Sequence, residues 1–318
     1  MKFFTLVRDT YLSWDKNEPW AKSAIIAYYA LFSLPSLLMI TMYIAGTFLG
    51  REAVQGKITT EIDSLIGTEG AQAIETMIAN AAIEESTWIT VVLGIGMLLF
   101  GATGVFYQLQ RALNDIWSVR SKQNNFKDTL KRRAWSFGLI LVIGFLLLIS
   151  LVVSSAIDAF VSYVATFYSE ISSVLLAVAN FILSEVFIAA LFTTIFTMLP
   201  DIKIKWKTSI IGAVITSLLF LVGKYLLGYY FSASNPTSVY GAAGSVVLIL
   251  LWVYYSCLIL FFGAEFTVQW ALYRDINVEP ADNATLSYEQ ELVELRAYKE
   301  KLENDKKIAK KLKKNSEA

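Results

Sequence analysis

Apolar runs without a charge set the layout of this chain. A hydrocarbon layer about 30 Å thick needs roughly 20 helical residues to cross it. The stretch between Lys22 and Arg51 meets that length and carries Pro35, a kink position in a helix. So do the uncharged stretches between Glu85 and Arg111 and from Ala134 to Ile157. Between Glu170 and Asp201 the one charge is Glu185, and between Lys207 and Glu265 it is Lys224. This last run is too long for one helix, and Ser232, Ser234, Asn235, Pro236, Gly241 and Gly244 supply a dividing turn. The pattern predicts an all-α polytopic membrane protein. Its six transmembrane helices fall at about 24–49, 88–110, 135–157, 174–199, 209–231 and 245–270, within a membrane domain over 24–272.

The segments between these runs follow amphipathic spacing. In 1–23, Phe3, Leu6, Val7, Tyr11 and Trp14 predict an amphipathic helix lying in the membrane interface. Charges from Lys2 to Glu18 leave no uninterrupted apolar core for a cleaved leader. The loop between Arg51 and Glu85 is acidic and reads as two short helices parted near Gly67 and Gly70, either a solvated cap or a lid that meets a partner. Residues 273–318 form a charged tail. Ser287 and Gln290 fit a capping box for a helix through Leu292, Leu295, Tyr298 and Leu302. The six lysines of Lys306, Lys307, Lys310, Lys311, Lys313 and Lys314 either touch anionic lipid or are simply solvated.

Composition agrees with lipid as the main solvent: 56% of residues are apolar and 17% charged, against about a quarter charged in soluble domains. A formal net charge of zero gives no global case for a nucleic-acid partner. The location of the charges is more informative. Lys and Arg number four before the first span, seven in the 111–133 loop, three at Lys203, Lys205 and Lys207 and ten in the tail, while Arg51 and Lys57 alone occupy the alternating loops. This predicts cytoplasmic N- and C-termini. Histidine is absent, and the single cysteine, Cys257, lies in an apolar run. No metal site, phosphate-cradling loop, nucleophile elbow or cofactor motif is expected, and the chain reads as a non-enzyme.

Charges inside the spans are the candidate functional residues, because a mid-bilayer charge costs about 3 kcal/mol on insertion scales. Glu185 and Lys224 are expected to pair or to share a water-filled cavity. Lys224 snorkelling to the interface, or Glu185 held protonated inside the bundle, are the alternatives. Ser217, Lys224 and Gly228 share one helix face; Asn180, Ser184 and Thr194 share another, with Glu185 about 100° away. Ser150, Ser154, Ser155 and Asp158 end the third span. Together they suggest an outward-opening polar cavity, although such stripes also serve as helix–helix hydrogen bonds. Gln108, Arg111, Asn114 and Asp115 cluster at the end of the second span, with Trp117 as an interface anchor. Glu265 is expected to pair with a basic residue of the 111–133 loop. Gly94, Gly96, Gly101 and Gly104 permit close helix approach, within the chain or in a homo-oligomer.

Four segments carry a family resemblance: AYYALFSLPSLL at 27–38, LQRALNDIW at 109–117, LPDIKIKWKTSIIGA at 199–213, and GKYL followed by SVYGAAGSVVLILLWVYYSCLILFFGAEFTV within 223–268. From about Ala24 to Trp270 the chain resembles the YihY/BrkB family of bacterial inner-membrane proteins. The resemblance implies a six-helix inner-membrane fold and marks Gly223, Lys224, Tyr240, Gly241, Gly263, Ala264 and Glu265 as family-pattern positions. Pro35 departs from it by one residue, and Glu185 matches no motif of the family. Names attached to the family carry serum resistance and virulence, and an older label is ribonuclease BN. A metal-dependent nuclease needs clustered ligands in an aqueous site, which a chain without histidine does not offer. The expected function is transporter-like, an exporter or lipid-handling protein; the alternative is an envelope scaffold acting through its outer loop or tail.

Overall fold

The computed structural model describes residues 2–33, 88–122, 169–234, 244–276 and 278–288, with residues 292 and 299. Within these the protein is mainly helical. Helix α1 spans Lys2–Lys16, and α2 is described over 19–33. Helix α3 runs Trp88–Ile116, α4 Ser169–Met198, α5 Trp206–Ser234 and α6 Gly244–Tyr273. In α4, α5 and α6 the segments Phe181–Met198, Trp206–Phe231 and Val246–Tyr273 are long and apolar enough to cross a membrane. At about 1.5 Å per residue, the 30 residues of α6 extend roughly 45 Å. The helices overrun the sequence-based spans by up to six residues. Polar ends such as Gln110–Asp115 continue a helix as readily as apolar ones and blur its limits to a span-based reading. The third span, 135–157, and the outer loop lie outside the described residues.

Four short strands are the feature that an all-α reading missed. β1 (Val119–Ser121) pairs antiparallel with β4 (Ala284–Leu286), and β2 (Ile202–Lys203) with β3 (Glu279–Pro280). The start of the predicted free tail is therefore stitched to the segments that follow α3 and α4. Strands of two or three residues carry no readable alternation, which is why the sequence hid them. The C-terminal ends of α3, α4 and α6 and the N-terminal end of α5 meet here, at what is called below the ribbon end.

Helix stops at this end use left-handed residues without glycine. Glu18, Ser118 and Asp275 have φ of 51°, 52° and 49°, the conformation that ends helices at C′. After Asp275, Ile276 N donates back to Ala271 O (2.9 Å). After Glu18, the buried Pro19 opens α2, where proline costs no hydrogen bond. Ser287 and Tyr288 are helical, and Gln290, the other half of the expected capping box, lies outside the described residues.

Helix α1 adds a docking face to the apolar positions read from its spacing. It docks lengthwise on α6, burying Leu6, Thr10 and Trp14 at intervals of four, while Val7 and Tyr11 are exposed. The burial of Thr10 is chemically permitted because its hydroxyl donates to Leu6 O (2.8 Å) within the helix. Trp14 packs edge-on against Phe262 (6.0 Å) and donates Nε1–H to Leu258 O (3.3 Å).

Helices α5 and α6 pack antiparallel through a reciprocal small-residue contact. A Cβ added at Gly212 would fall on Thr267 Oγ1, and one added at Gly263 on Thr216 Oγ1. Each threonine hydroxyl donates to the glycine carbonyl four residues before it, Thr216 to Gly212 O (2.7 Å) and Thr267 to Gly263 O (2.8 Å). Two glycine-x-x-x-threonine faces thus bring the backbones together with no unsatisfied hydroxyl. Further along, Gly223 accommodates Tyr255 and Ile259. Gly101 and Gly104 lie against Ser33 and Tyr29 of α2 in the same chain, whereas Gly96 faces open space. The core joins Leu113 of α3, Phe192 and Phe196 of α4, Ala213 of α5 and Phe261 and Ala264 of α6.

Candidate functional site

Helices α4 and α5 enclose the polar feature expected inside the spans. An aromatic row of Phe196, Phe192, Phe220 and Trp252 crosses from α4 through α5 to α6, with centroids 6.1, 5.8 and 5.6 Å apart. Beside Phe220, on the side away from the ribbon end, is a pocket of about 180 Å³ lined by Phe181, Ser184, Glu185 and Ile188 of α4 and Phe220, Leu221, Lys224 and Tyr225 of α5. Lys224 and Ser217 face the Glu185 carboxylate from α5. The Ser217 hydroxyl donates to Val214 O (2.9 Å), so its proton is engaged and only its lone pairs remain for Glu185. Glu185 Oε2 is buried with no hydrogen-bond partner among the described residues.

The pocket thus joins Glu185, Lys224 and Ser184, with Ser217 beside the carboxylate. Asn180 lies on α4 but its side chain is not among those described; Asp158, Tyr240 and Gly241 lie outside the described residues. Gly223 and Gly263 are helix-packing positions that touch no pocket. Sequence reasoning missed the apolar lining, Phe181, Ile188, Phe220, Leu221 and Tyr225, because aromatic and aliphatic residues at helical spacing look identical whether they pack or line a cleft.

Glu265 meets a partner that its charge did not point to, while Lys127, Lys131, Arg132 and Arg133 of the loop it was matched with lie outside the described residues. Glu265 is fully buried and accepts a hydrogen bond from Asn17 Nδ2 in the turn between α1 and α2, with Ser13 and Lys22 nearby. The described part of the 111–133 loop instead faces Lys22, through Asp115 at the end of α3 (2.8 Å). Glu265 therefore fastens the N-terminal helix pair to α6.

Asp201 was not singled out from the sequence, yet it organises the ribbon end. Its carboxylate accepts from Asn114 Nδ2 (2.8 Å), Asn283 Nδ2 (2.8 Å) and Gln110 Nε2 (3.4 Å). Its N–H donates to Asn114 Oδ1 (2.8 Å), and its carbonyl accepts from Ala281 N (2.9 Å). One residue links α3, the α4–α5 connection and the tail. At the surface Lys203 bonds Asp282 (2.6 Å). That contact raises the Lys203 pKa and lowers that of Asp282. A second cavity, about 370 Å³, separates α1 from the end of α6 and is lined by Thr5, Leu6, Asp9, Gln269, Leu272 and Tyr273. Among the described residues no group of three or more His, Cys, Asp or Glu side chains is placed to hold a metal ion.

Long apolar helices packed through small residues, with an ionisable pair held between two of them, define a helical integral membrane protein in contact with lipid. The chain belongs to the family described as virulence factor BrkB, whose model matches residues 13–285. It is similar to a "UPF0761 membrane protein" of Mannheimia succiniciproducens, 23% identical over 267 residues that cover 81% of this chain and 86% of the relative. A UPF0761 membrane protein of Psychromonas ingrahamii is 26% identical over 271 residues, 83% of this chain and 86% of the relative. One of Tolumonas auensis is 29% identical over 192 residues, 59% of this chain and 61% of the relative. No solved structure matches the chain.

Proposed function

We propose that this protein is a transporter-like component of the bacterial inner membrane, an exporter or lipid-handling protein, working through the α4–α5 pocket. The observation that carries the reading is the sharing of one pocket of about 180 Å³ by Glu185 and Lys224, between two helices of membrane-spanning length. A charged pair at that depth is costly unless it meets water or substrate, so ionisable residues inside spans mark transport paths more often than packing. In this reading Lys224 is the contact for an anionic group, Glu185 its resident counter-ion, and Ser184 a polar wall. The chemistry is binding and passage, with no bond made or broken in the substrate. The six-span topology and cytoplasmic termini are part of the proposal. They rest on the basic residues of the ribbon end, among them Arg111, Arg120, Lys122, Lys203, Lys205 and Lys207.

The test is redistribution of a fluorescent anionic lipid across proteoliposomes containing the full-length chain. Wild-type protein and Lys224→Arg accelerate it, and Lys224→Met does not; equal rates for Met and wild type would remove Lys224 from the path. A scaffold role is favoured by one observation, the clamping of the tail onto two loops by Asp201. On that account Lys224→Met is silent, and deletion of 289–318 or loss of Asp201 is not.

A further inference from the structure

The pocket holds more than a counter-ion pair, because the surroundings of Glu185 are suited to one protonation state at a time. When ionised, its carboxylate faces Lys224, while Ser217, which also faces it, has its proton committed to Val214 O. Without Lys224 the carboxylate would be left against Phe181, Ile188 and Phe220 with no cation on the pocket wall, and its Oε2 already has no hydrogen-bond partner among the described residues. A protonated Glu185 is accommodated differently. Its O–H can donate to the free lone pairs of Ser217 Oγ, and no cation is then required. The remaining titratable groups on the pocket wall are Lys224 and Tyr225, both from α5, the helix packed along α4.

The charge of Lys224 is therefore contested between Glu185 and a ligand anion. The rest of the lining states what carries that anion. Five of the eight wall residues are aromatic or aliphatic, and the pocket is flanked by exposed Ile182 and Val178 on α4 and Val222 and Leu226 on α5. An apolar tail can lie along that flank while its phosphate reaches Lys224. We propose that the pocket binds an amphiphilic organophosphate and exchanges it for the Glu185 carboxylate, so that up to one proton is taken up from solvent onto Glu185 for each anion bound. This rests on the transporter-like reading of the same pocket, and it names the ligand class and the coupling ion.

The measurement is calorimetric titration of the full-length protein in nonionic detergent with dioctanoyl phosphatidylglycerol, whose phosphodiester keeps one negative charge throughout. Buffers of different ionisation enthalpy report the protons taken up. Binding should be tighter at about pH 5.5 than at about pH 8, by at most about tenfold per pH unit for one linked proton, with proton uptake wherever it depends on pH. Glu185→Gln should bind tightly at both pH values with no uptake, and Glu185→Asp, which keeps a carboxylate, should retain the pH dependence. Uptake and pH dependence unchanged in Glu185→Gln would overturn the coupling and leave the pocket reading intact. Lys224→Met binding like wild type, while Lys224→Arg also binds, would overturn both. Glycerol 3-phosphate binding as tightly as the lipid would overturn the amphiphile and point to a soluble organophosphate.

Discussion

Replacing Asp201 with alanine separates three segments at once, and its cost can be worked from the bonds it makes. Asn114 is 7% exposed and its amide orientation is fixed, since Oδ1 takes the Asp201 N–H and Nδ2 must then face the carboxylate. Losing that charge-assisted bond and leaving the Asn114 amide buried without an acceptor costs about 2 kcal/mol. Asn283 is exposed and regains water, so its bond adds about 0.5–1 kcal/mol, and the 3.4 Å contact of Gln110 adds little. The total is about 3 kcal/mol, or roughly 6–12 °C in the thermal midpoint of a domain this size. Asp201→Asn should cost about 1 kcal/mol, because its oxygen still serves Asn114 and its amide meets only the accessible Asn283 and Gln110. The assay is size-exclusion after graded heating in detergent, for both variants, Asn114→Ala and the Asn114→Ala/Asp201→Ala double variant. The double variant should lose markedly less than the sum of the singles, by about 1.5 kcal/mol. Additive losses, or equal losses for Ala and Asn at 201, would refute the reasoning.

Other perturbations follow from the same contacts. Gly263→Ala places a Cβ on Thr216 Oγ1 and should cost roughly 1–3 kcal/mol by crowding, and Thr216→Gly in that background should recover part of the loss in the same heating assay. Glu265→Ala removes the acceptor for Asn17, so α1 should loosen from α6 and trypsin should cut at Lys16 faster than in wild type. The exposed Lys203–Asp282 contact has a signed pH dependence. The contribution of Asp282, whose pKa is lowered, is present above the ordinary carboxylate range and lost as pH falls through its folded value. That of Lys203, whose pKa is raised, persists until pH rises through its folded value. Hydrogen exchange at Asn283 should therefore be flat across neutral pH after correction for intrinsic rates and accelerate below about pH 4, with added salt weakening the contact. Asp275→Gly should raise stability by up to about 1 kcal/mol by relieving a left-handed residue, checked by the thermal midpoint.

Much of this molecule is legible in the residue order, and the limits of the reading have physical causes. Long apolar runs located α3 to α6, and in α4, α5 and α6 they give segments long and apolar enough to cross a membrane. The Glu185–Lys224 neighbourhood was readable because two charges inside such runs have few places to go. For α1 the same logic found part of the buried face, Leu6 and Trp14. Its docking stripe also runs through Thr10, a polar residue made burial-compatible by a bond to its own backbone, which a count of apolar positions passes over. Glu265 was matched with basic residues by charge, while its partner is the neutral Asn17, which no charge count can find. Asp201 sits between Pro200 and a short strand, and its three amide donors lie about 90 residues before it and 80 after, a juxtaposition made only by the fold.

Solvent access to the α4–α5 pocket tests the central claim most directly. Lys224→Cys and Glu185→Cys, each in the Cys257→Ser background that removes the one native thiol, are to be probed from each side of the membrane with a charged, membrane-impermeant thiol reagent. Labelling at both positions, blocked by prior addition of dioctanoyl phosphatidylglycerol in Glu185→Cys, which keeps Lys224, is the predicted result. Protection of both positions from both sides would contradict the account and leave a packed, non-transporting bundle.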